Sequence, residues 1–316
     1  MGHATRCVPI ILSLLEKNTV IIGVTPLNRF FFENQFPACP KVEVPSYDIR
    51  YSSTLPVWFK ILLQWPKIKD VIKKENKCLK EIVRHYHVDL IISDNRFGLS
   101  HKKIKTIFIT HQLNIPAPFF SFLINYINRR LIHRFNEVWI PDYEEKDKRL
   151  SGNLSDAEKM KIPVTFIGPK SYLSNRSDSA PGGKLDYLIL LSGIEPQRSR
   201  LEKLLMCQFD NSGKKIVLVR GSKSAKAIIN PYLEINQFSE GEELRRLIVS
   251  ADTVICRSGF STLMDLHLLD KRKIILIPTP GQTEQVYLAE HWKEKFGAKV
   301  IPQHSLISKT HSLLER

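Results

Sequence analysis

Three polar loops in the carboxyl-terminal half carry residue types suited to gripping a phosphorylated sugar. The first spans residues 256–265, Cys-Arg-Ser-Gly-Phe-Ser-Thr-Leu-Met-Asp. It follows a β-branched run and opens a helical pattern, so Arg257, Ser258 and Gly259 fall on the turn. Ser258 is placed to cap the helix, and Gly259 lets a ligand approach the backbone closely. Amides at a helix start, with the positive end of the helix dipole, suit a phosphate. Asp265 lies one turn on from Thr262 on the same face and is placed to accept hydrogen bonds from sugar hydroxyls. The second loop, residues 278–285, is Pro-Thr-Pro-Gly-Gln-Thr-Glu-Gln, where two prolines and a glycine fix a turn. Gln282, Glu284 and Gln285 then project polar groups at the same sheet edge. The third, from Ser192 and Gly193 to Arg198, precedes a helix with Pro196 in its first turn, again a phosphate-compatible geometry. In the amino-terminal half the chemistry-bearing residues are His3, Asp94 after an apolar run, and the cluster His111, Gln112 and Asn114.

The elements that must position these loops alternate strand and helix. In the first half, compact apolar runs at 19–24, 88–94, 105–110 and 137–140 read as buried parallel strands. Helical patterns cover 8–15, 66–86 and 119–135. Residues 169–184 are rich in Ser, Pro and Gly and read as a linker. The second half repeats the alternation, with strands at 187–191, 215–219, 253–256 and 274–277 and helices at 195–210, 241–250, 260–270 and 283–296. This predicts two doubly wound parallel sheets: an acceptor-side domain over 1–168 and a donor domain over 185–316. Ligands of such sheets sit beyond the carboxyl ends of the strands, where the loops above fall.

Composition narrows the function classes. The chain has 316 residues, 43% hydrophobic and 25% charged, a globular mix that excludes global disorder. Five cysteines without a C-x-x-C pair argue for free thiols in a reducing compartment and against a zinc site. No run of about 18 apolar residues occurs, so no spanning helix is expected. Net charge is +15, and residues 55–134 hold 15 basic and 5 acidic residues. Such an excess attracts a polyanion. No aromatic-basic β motif or recognition helix is present, which ranks nucleic acid last. The apolar, aromatic segments 56–65 and 115–124 are flanked by Lys or Arg. They suit a surface that dips into an anionic leaflet, or else are core helices.

Residues 256–265, the Pro-rich loop to Gln285 and the trailing Phe296-Gly297-Ala298 resemble the C-terminal domain of glycosyltransferase family 28. Residues 2–6 resemble the end of that family's first glycine-rich loop, and Thr110–Asn114 its acceptor-side loop. The resemblance implies the GT-B fold and an inverting, metal-independent transfer from a UDP-sugar, a substrate rather than a cofactor. Carried over by position, Thr262 and Asp265 serve the ribose and the donor sugar, and Gln285 its hydroxyls. Ser192 and Gly193 face the pyrophosphate, and His3 sits at the reacting centre. Departures from the family's peptidoglycan member are Asp265 in place of glutamate, Val286 in place of a second glutamine and Tyr172 in place of arginine. The implied donor sugar is N-acetylglucosamine or a similar hexose. The implied acceptor is a glycan or lipid-linked molecule at the inner face of a membrane.

An imidazole titrates near neutrality, so His3 is the expected base, with His111 and then Asp94 as alternatives. A UDP-sugar 2-epimerase and a non-catalytic donor- or lipid-binding subunit are the rival readings on the same fold. A domain of this fold starts with a β-strand leading into the glycine-rich loop, whereas residues 2–6 already resemble that loop. The expectation is a reading frame that continues upstream, and a sheet with that strand's slot unfilled.

Overall fold

The computed structural model describes residues 2–46, 65–117, 119–174, 183–193, 195–209, 213–221, 233–236 and 239–306. They form two compact units that divide after Lys170.

Unit 1 begins with α1 (Gly2–Leu15), β1 (Ile22–Val24), α2 (Arg29–Gln35) and β2 (Lys41–Glu43). It continues with α3 (Trp65–Tyr86), β3 (Leu90–Asp94), β4 (Lys105–Ile109), α4 (Ser121–Ile132), β5 (Glu137–Ile140) and β6 (Val164–Phe166). All its strand pairs are parallel, in two pieces: β1 with β2, and a sheet of order β3-β4-β5-β6. Phe108, Leu113, Ile132, Phe135, Val138 and Ile140 form one buried cluster beneath the larger piece. Each contributes roughly 1.5–3 kcal/mol by leaving water.

Unit 2 comprises β7 (Leu185–Leu190), α5 (Gln197–Phe209), β8 (Ile216–Val219), β9 (Glu234–Asn236), α6 (Gly241–Ser250) and β10 (Ala251–Cys256). After these come α7 (Phe260–Leu268), β11 (Ile274–Leu276), α8 (Thr283–Phe296) and β12 (Lys299–Val300). They build one six-stranded parallel sheet of order β12-β11-β10-β7-β8-β9. The four residues of β8 are all buried, which is why the strand reads as an uninterrupted apolar run. At the end of α8, Gly297 takes φ 70 and closes the helix in the left-handed conformation.

The alternation predicted from sequence is present in both units, with four short strands in addition: β2, β6, β9 and β12. Each has two or three residues, too few for a periodic signal. Two local expectations are corrected, and one pair of alternatives is decided. Residues 2–6 are not a loop: α1 starts at Gly2, so His3 occupies a first helical turn. The segment 169–184 is not polar linker throughout, because Ser171, Tyr172 and Leu173 are buried in unit 2, and Leu173 N donates to Ser171 Oγ (3.0 Å). Of the two readings offered for 115–124, a membrane-facing surface or core helices, the core reading fails for Phe119, Phe120 and Phe122, which are exposed. Residues 56–64 and 175–182 lie outside the described residues. All five cysteines are free thiols. Among the described residues no helix is long and apolar enough to cross a membrane.

Candidate functional site

In unit 2, β7 lies between β8 and β10, and the sheet order reverses direction there. At such a switch point the connections leave on opposite faces and open a crevice beyond the strand ends. Ser192 and Gly193 follow β7, and Arg257, Ser258 and Gly259 follow β10, so the two loops flank that crevice. Gly193 takes φ 100, Gly281 takes φ 80, and a Cβ built at Gly193, Gly259 or Gly281 would meet nothing within 4 Å. Among the described residues, nothing therefore crowds the backbone of these three loops at those glycines. The first intrahelical bond of α7 is from Leu263 N to Gly259 O (3.1 Å). Its first-turn amides have no intrahelical acceptor and carry the positive end of the dipole, a site for an anionic group.

The side chains divide into those that face this opening and those that build it. Ser258 is not the helix cap: Gly259 holds that position, and buried Ser258 donates from Oγ to Gln285 O (2.6 Å). Gln285 Oε1 accepts from Thr279 N (2.9 Å), so the loop after β11 is pinned to the start of α8. That leaves the amide nitrogen as the part of Gln285 able to reach a ligand. Gln282 is the N-cap residue of α8, with Glu284 one step into the helix; both are half-buried.

Arg257 departs from the expectation of a donor ligand. It is 1% exposed, and its terminal nitrogens donate to Ile277 O (3.0 Å), Pro278 O (3.2 Å), Gln197 O (3.1 Å) and Gln303 Oε1 (2.7 Å). Burial pulls its pKa down to about 10, still a cation at neutral pH. Arg257 thus braces the crevice from behind, because internal carbonyls take the donors of both terminal nitrogens, while its buried Nε meets no acceptor among the described residues.

Thr262 is half-buried on α7, and Asp265, one turn on, accepts from Ser171 Oγ. Desolvation pushes the Asp265 carboxyl up to about 7, with the Ser171 hydroxyl pulling weakly the other way. Ser171 was invisible as a site residue because it lies 94 positions away in a segment of linker composition. Behind the Ser192 loop, Arg198 donates to Glu202 (3.0 Å) and to Arg220 O (3.1 Å), and Arg220 pairs with Glu202 (2.7 Å). This buried network fixes α5 against the carboxyl end of β8.

In unit 1 the residues His3, Asp94 and His111 come together through Arg6. His3 and Arg6 are three apart on α1, hence on one face. Arg6 is 1% exposed; its Nε donates to Asp94 Oδ2 (2.8 Å) and its Nη2 to Oδ1. Its Nη1 lies 3.2 Å from His111 Nδ1. A guanidinium only donates, so His111 Nδ1 is an acceptor and carries no proton. Burial alone would raise Asp94, but Arg6 and His3 override it and hold the carboxyl well below the usual carboxylate range. Asp94 is therefore a fixed anion rather than a base. His3 is 58% exposed, and its Nδ1 meets both Asp94 Oδ1 (3.2 Å) and Arg6 Nη2 (2.8 Å). Donating to Asp94 leaves Nε2 with its lone pair outward. Accepting from Arg6 puts the proton on Nε2.

Asn114 is a loop tether: its amide donates to Asn153 O (3.1 Å) and Asp156 O (2.9 Å). At Gln112 only the backbone is tied, its N donating to Thr110 Oγ1 (3.0 Å), and the residue lines the large cavity of unit 1.

Residues 199–316 match the Glycosyltransferase family 28 C-terminal domain. No curated protein matches the chain. Solved structures do. The glycotransferase of kitacinnamycin aligns with TM-score 0.64 at 14% identity, covering 96% of this chain and 84% of that one. The spinosyn rhamnosyltransferase SpnG, complexed with thymidine diphosphate, aligns with TM-score 0.64 at 12% identity, covering 99% and 88%. MurG of Acinetobacter baumannii aligns with TM-score 0.54 at 15% identity, covering 96% and 84%. At these identities the likeness establishes the architecture. The chain has the fold of the GT-B glycosyltransferases, and residues 199–316 of its second unit resemble the glycosyltransferase family 28 C-terminal domain.

Proposed function

We propose that this chain moves a hexose, N-acetylglucosamine or a close relative, from a UDP-sugar to a lipid-linked or other membrane-associated acceptor. The transfer inverts the anomeric centre and uses no bound metal. The observation that carries this reading is the pair of glycine loops at the strand-order reversal of unit 2, with a helix start at an uncrowded glycine. A nucleoside diphosphate fits that chemistry: its phosphates meet the first-turn amides of α7 and the Ser192–Gly193 backbone. Its ribose and sugar hydroxyls meet Thr262, Asp265 and the Gln285 amide.

In the first unit His3 accepts the acceptor's hydroxyl proton at Nε2; this requires the tautomer in which Nδ1 donates to Asp94 and Arg6 Nη2 turns its hydrogen to Asp94 Oδ1. The freed oxygen attacks the anomeric carbon, the bond to the β-phosphate oxygen breaks, and UDP leaves with the electron pair. The helix-start amides offset the charge that develops on the diphosphate, which is the role a metal would otherwise fill.

A second surface supports the membrane-associated acceptor. Phe119, Phe120 and Phe122 stand exposed at the head of α4, Phe122 to 80%. Lys69, Lys73, Lys77, Lys80 and Arg134 line a basic groove between α3 and the end of α4. Exposed aromatics at the head of α4 and a cationic groove near its end suit peripheral attachment to an anionic leaflet on the cytoplasmic side. A UDP-sugar epimerase of this fold would need no such surface.

Calorimetry on the full chain with UDP, TDP and UDP-N-acetylglucosamine tests the donor. UDP is expected to bind more tightly than TDP, and Asp265→Ala to weaken it. Equal binding of both nucleotides would remove uridine from the proposal. Activity abolished by EDTA and restored by magnesium or manganese would remove its metal independence.

A further inference from the structure

Two carboxamide side chains stand at the carboxyl ends of β3 and β4, beside the His3–Asp94 pair. Asn95 directly follows β3, and Gln112 comes three residues after the end of β4. The strands pair in parallel with Asp94 opposite Ile109, so their loops leave side by side. Neighbouring strands lie about 4.8 Å apart, close enough for one sugar ring to meet both loops. His3, Asp94, Asn95 and Gln112 all line one cavity of about 1100 Å³.

The backbone around Gln112 is held from two sides. Asn128 Nδ2 donates to Gln112 O (3.2 Å) and to Leu113 O (3.1 Å), while Leu113 N and Asn114 N both donate to Leu154 O (2.8 and 2.9 Å). With Gln112 N already on Thr110, the side-chain amide is what Gln112 has left to offer, and it makes no hydrogen bond among the described residues. Asn95 is exposed, takes φ 56, and its N donates to Ile109 O (3.1 Å). Left-handed backbone is where glycine rests without strain. Asparagine carries a side chain there, and that carboxamide too makes no hydrogen bond among the described residues.

The charges beside these two amides are already matched. Arg6 is engaged by Asp94 and His111. Arg96 pairs with Glu75 (2.8 Å) and donates to Pro45 O. Lys17 and Asp89 also line the cavity, but one lies past the end of α1 and the other before the start of β3, at the strand's amino end. An anion between the amides would face the fixed Asp94 carboxylate while both guanidinium groups are occupied. A carboxamide offers one acceptor oxygen and two donor hydrogens, which matches hydroxyls that each donate and accept.

We propose that Asn95 and Gln112 form a subsite for a neutral polyol, the vicinal hydroxyls of a sugar ring, and disfavour a phosphate or carboxylate at that position. Resting on the transferase reading, this makes them specificity residues for the acceptor: they hold the ring while one of its hydroxyls meets His3. Any anionic group of the acceptor then lies away from these two amides.

Nuclear magnetic resonance of the side-chain amides of Asn95 and Gln112, on the full chain, tests it. Methyl β-glucoside is the neutral probe and inorganic phosphate the anionic one. The glucoside is expected to shift both amides, and phosphate neither. Asn95→Gly removes the carboxamide and keeps the left-handed backbone unstrained. Its Tm is therefore expected to hold or rise, while glucoside affinity read at Gln112 falls about tenfold for the lost hydrogen bonds. Gln112→Ala, read at Asn95, is expected to show a similar loss. An asparagine that serves only the turn would leave the affinity of Asn95→Gly unchanged, which would overturn its role. Equal shifts by phosphate would overturn the preference for a neutral ligand, and no shift by the glucoside would overturn the subsite. UDP affinity by calorimetry is expected to be equal in all three proteins. Failure of UDP to bind any of them would count against the transferase reading and leave the subsite to stand or fall on the resonance shifts.

Discussion

Arg6 and Asp94, 88 positions apart, form a two-point ion pair at the carboxyl end of β3. His3 and His111 both orient against it. Truncating Arg6 strands a buried carboxylate, so Arg6→Ala is expected to cost about 3–5 kcal/mol of stability. Chemical denaturation of both proteins measures it. In the proposed transferase, His3→Ala is expected to lower kcat by roughly 10²–10⁴-fold, with unchanged UDP affinity by calorimetry. A matching loss of UDP affinity would move His3 out of the base role.

The pH dependence of unit 2 is set in part by Asp265, whose carboxyl rises from 3.8 to about 7 on desolvation. A raised acid favours the protonated folded state. Its stabilising contribution is full below about pH 4 and is lost as pH rises through 7. Tm of unit 2 is therefore expected to fall across that window and level off above it. Asp265→Asn, which cannot ionise, is expected to flatten the profile between pH 4 and 7, as read by thermal unfolding at constant ionic strength.

Gly221, two residues past the end of β8, takes φ 65, and a Cβ there would lie 2.3 Å from Leu191 O. Leu191 directly precedes Ser192 and Gly193. Gly221→Ala is expected to cost about 1–3 kcal/mol through left-handed strain, more with the clash, and to weaken UDP binding by displacing the loop. Gly193→Ala, at φ 100 but with open space around it, is expected to show the strain without the clash. Paired denaturation and calorimetry separate the two.

Binding to anionic vesicles is expected to fall steeply between 0.1 and 1 M salt, since the Debye length shrinks from roughly 10 Å to 3 Å. Each basic residue near the surface is worth about 1 kcal/mol, so replacing Lys73, Lys77 and Lys80 by Gln should lower partitioning at least tenfold. Phe122→Ser is expected to reduce it at both salt concentrations. Equal sedimentation with neutral and anionic lipid would show that this face is ordinary solvated surface.

How much was legible in sequence differs by element. β8 reads Ile-Val-Leu-Val because both faces of a central parallel strand are buried, and α8 ends at Gly297 because a left-handed closure favours glycine. The loops follow from the strand ends, so Ser192, Gly193 and Gly259 were within reach. Arg257 and Ser258 were equally visible, but their direction was not. A polar residue in a loop can face the ligand or the protein, and only the carbonyls of Ile277, Pro278 and Gln285 decided that both turn inward.

Pairings across long separations were beyond any local pattern. Ser171 with Asp265, and Arg6 with Asp94 and His111, join residues between 88 and 105 positions apart. Sequence periodicity records which face of an element is buried, because burial repeats with the geometry of helix or strand. It does not record which element packs against that face. By itself the sequence determined the strand-helix alternation, the polar strand-end loops and the basic excess. The order of strands in each sheet and the crevice where that order reverses came only with tertiary packing, where residues distant along the chain become neighbours.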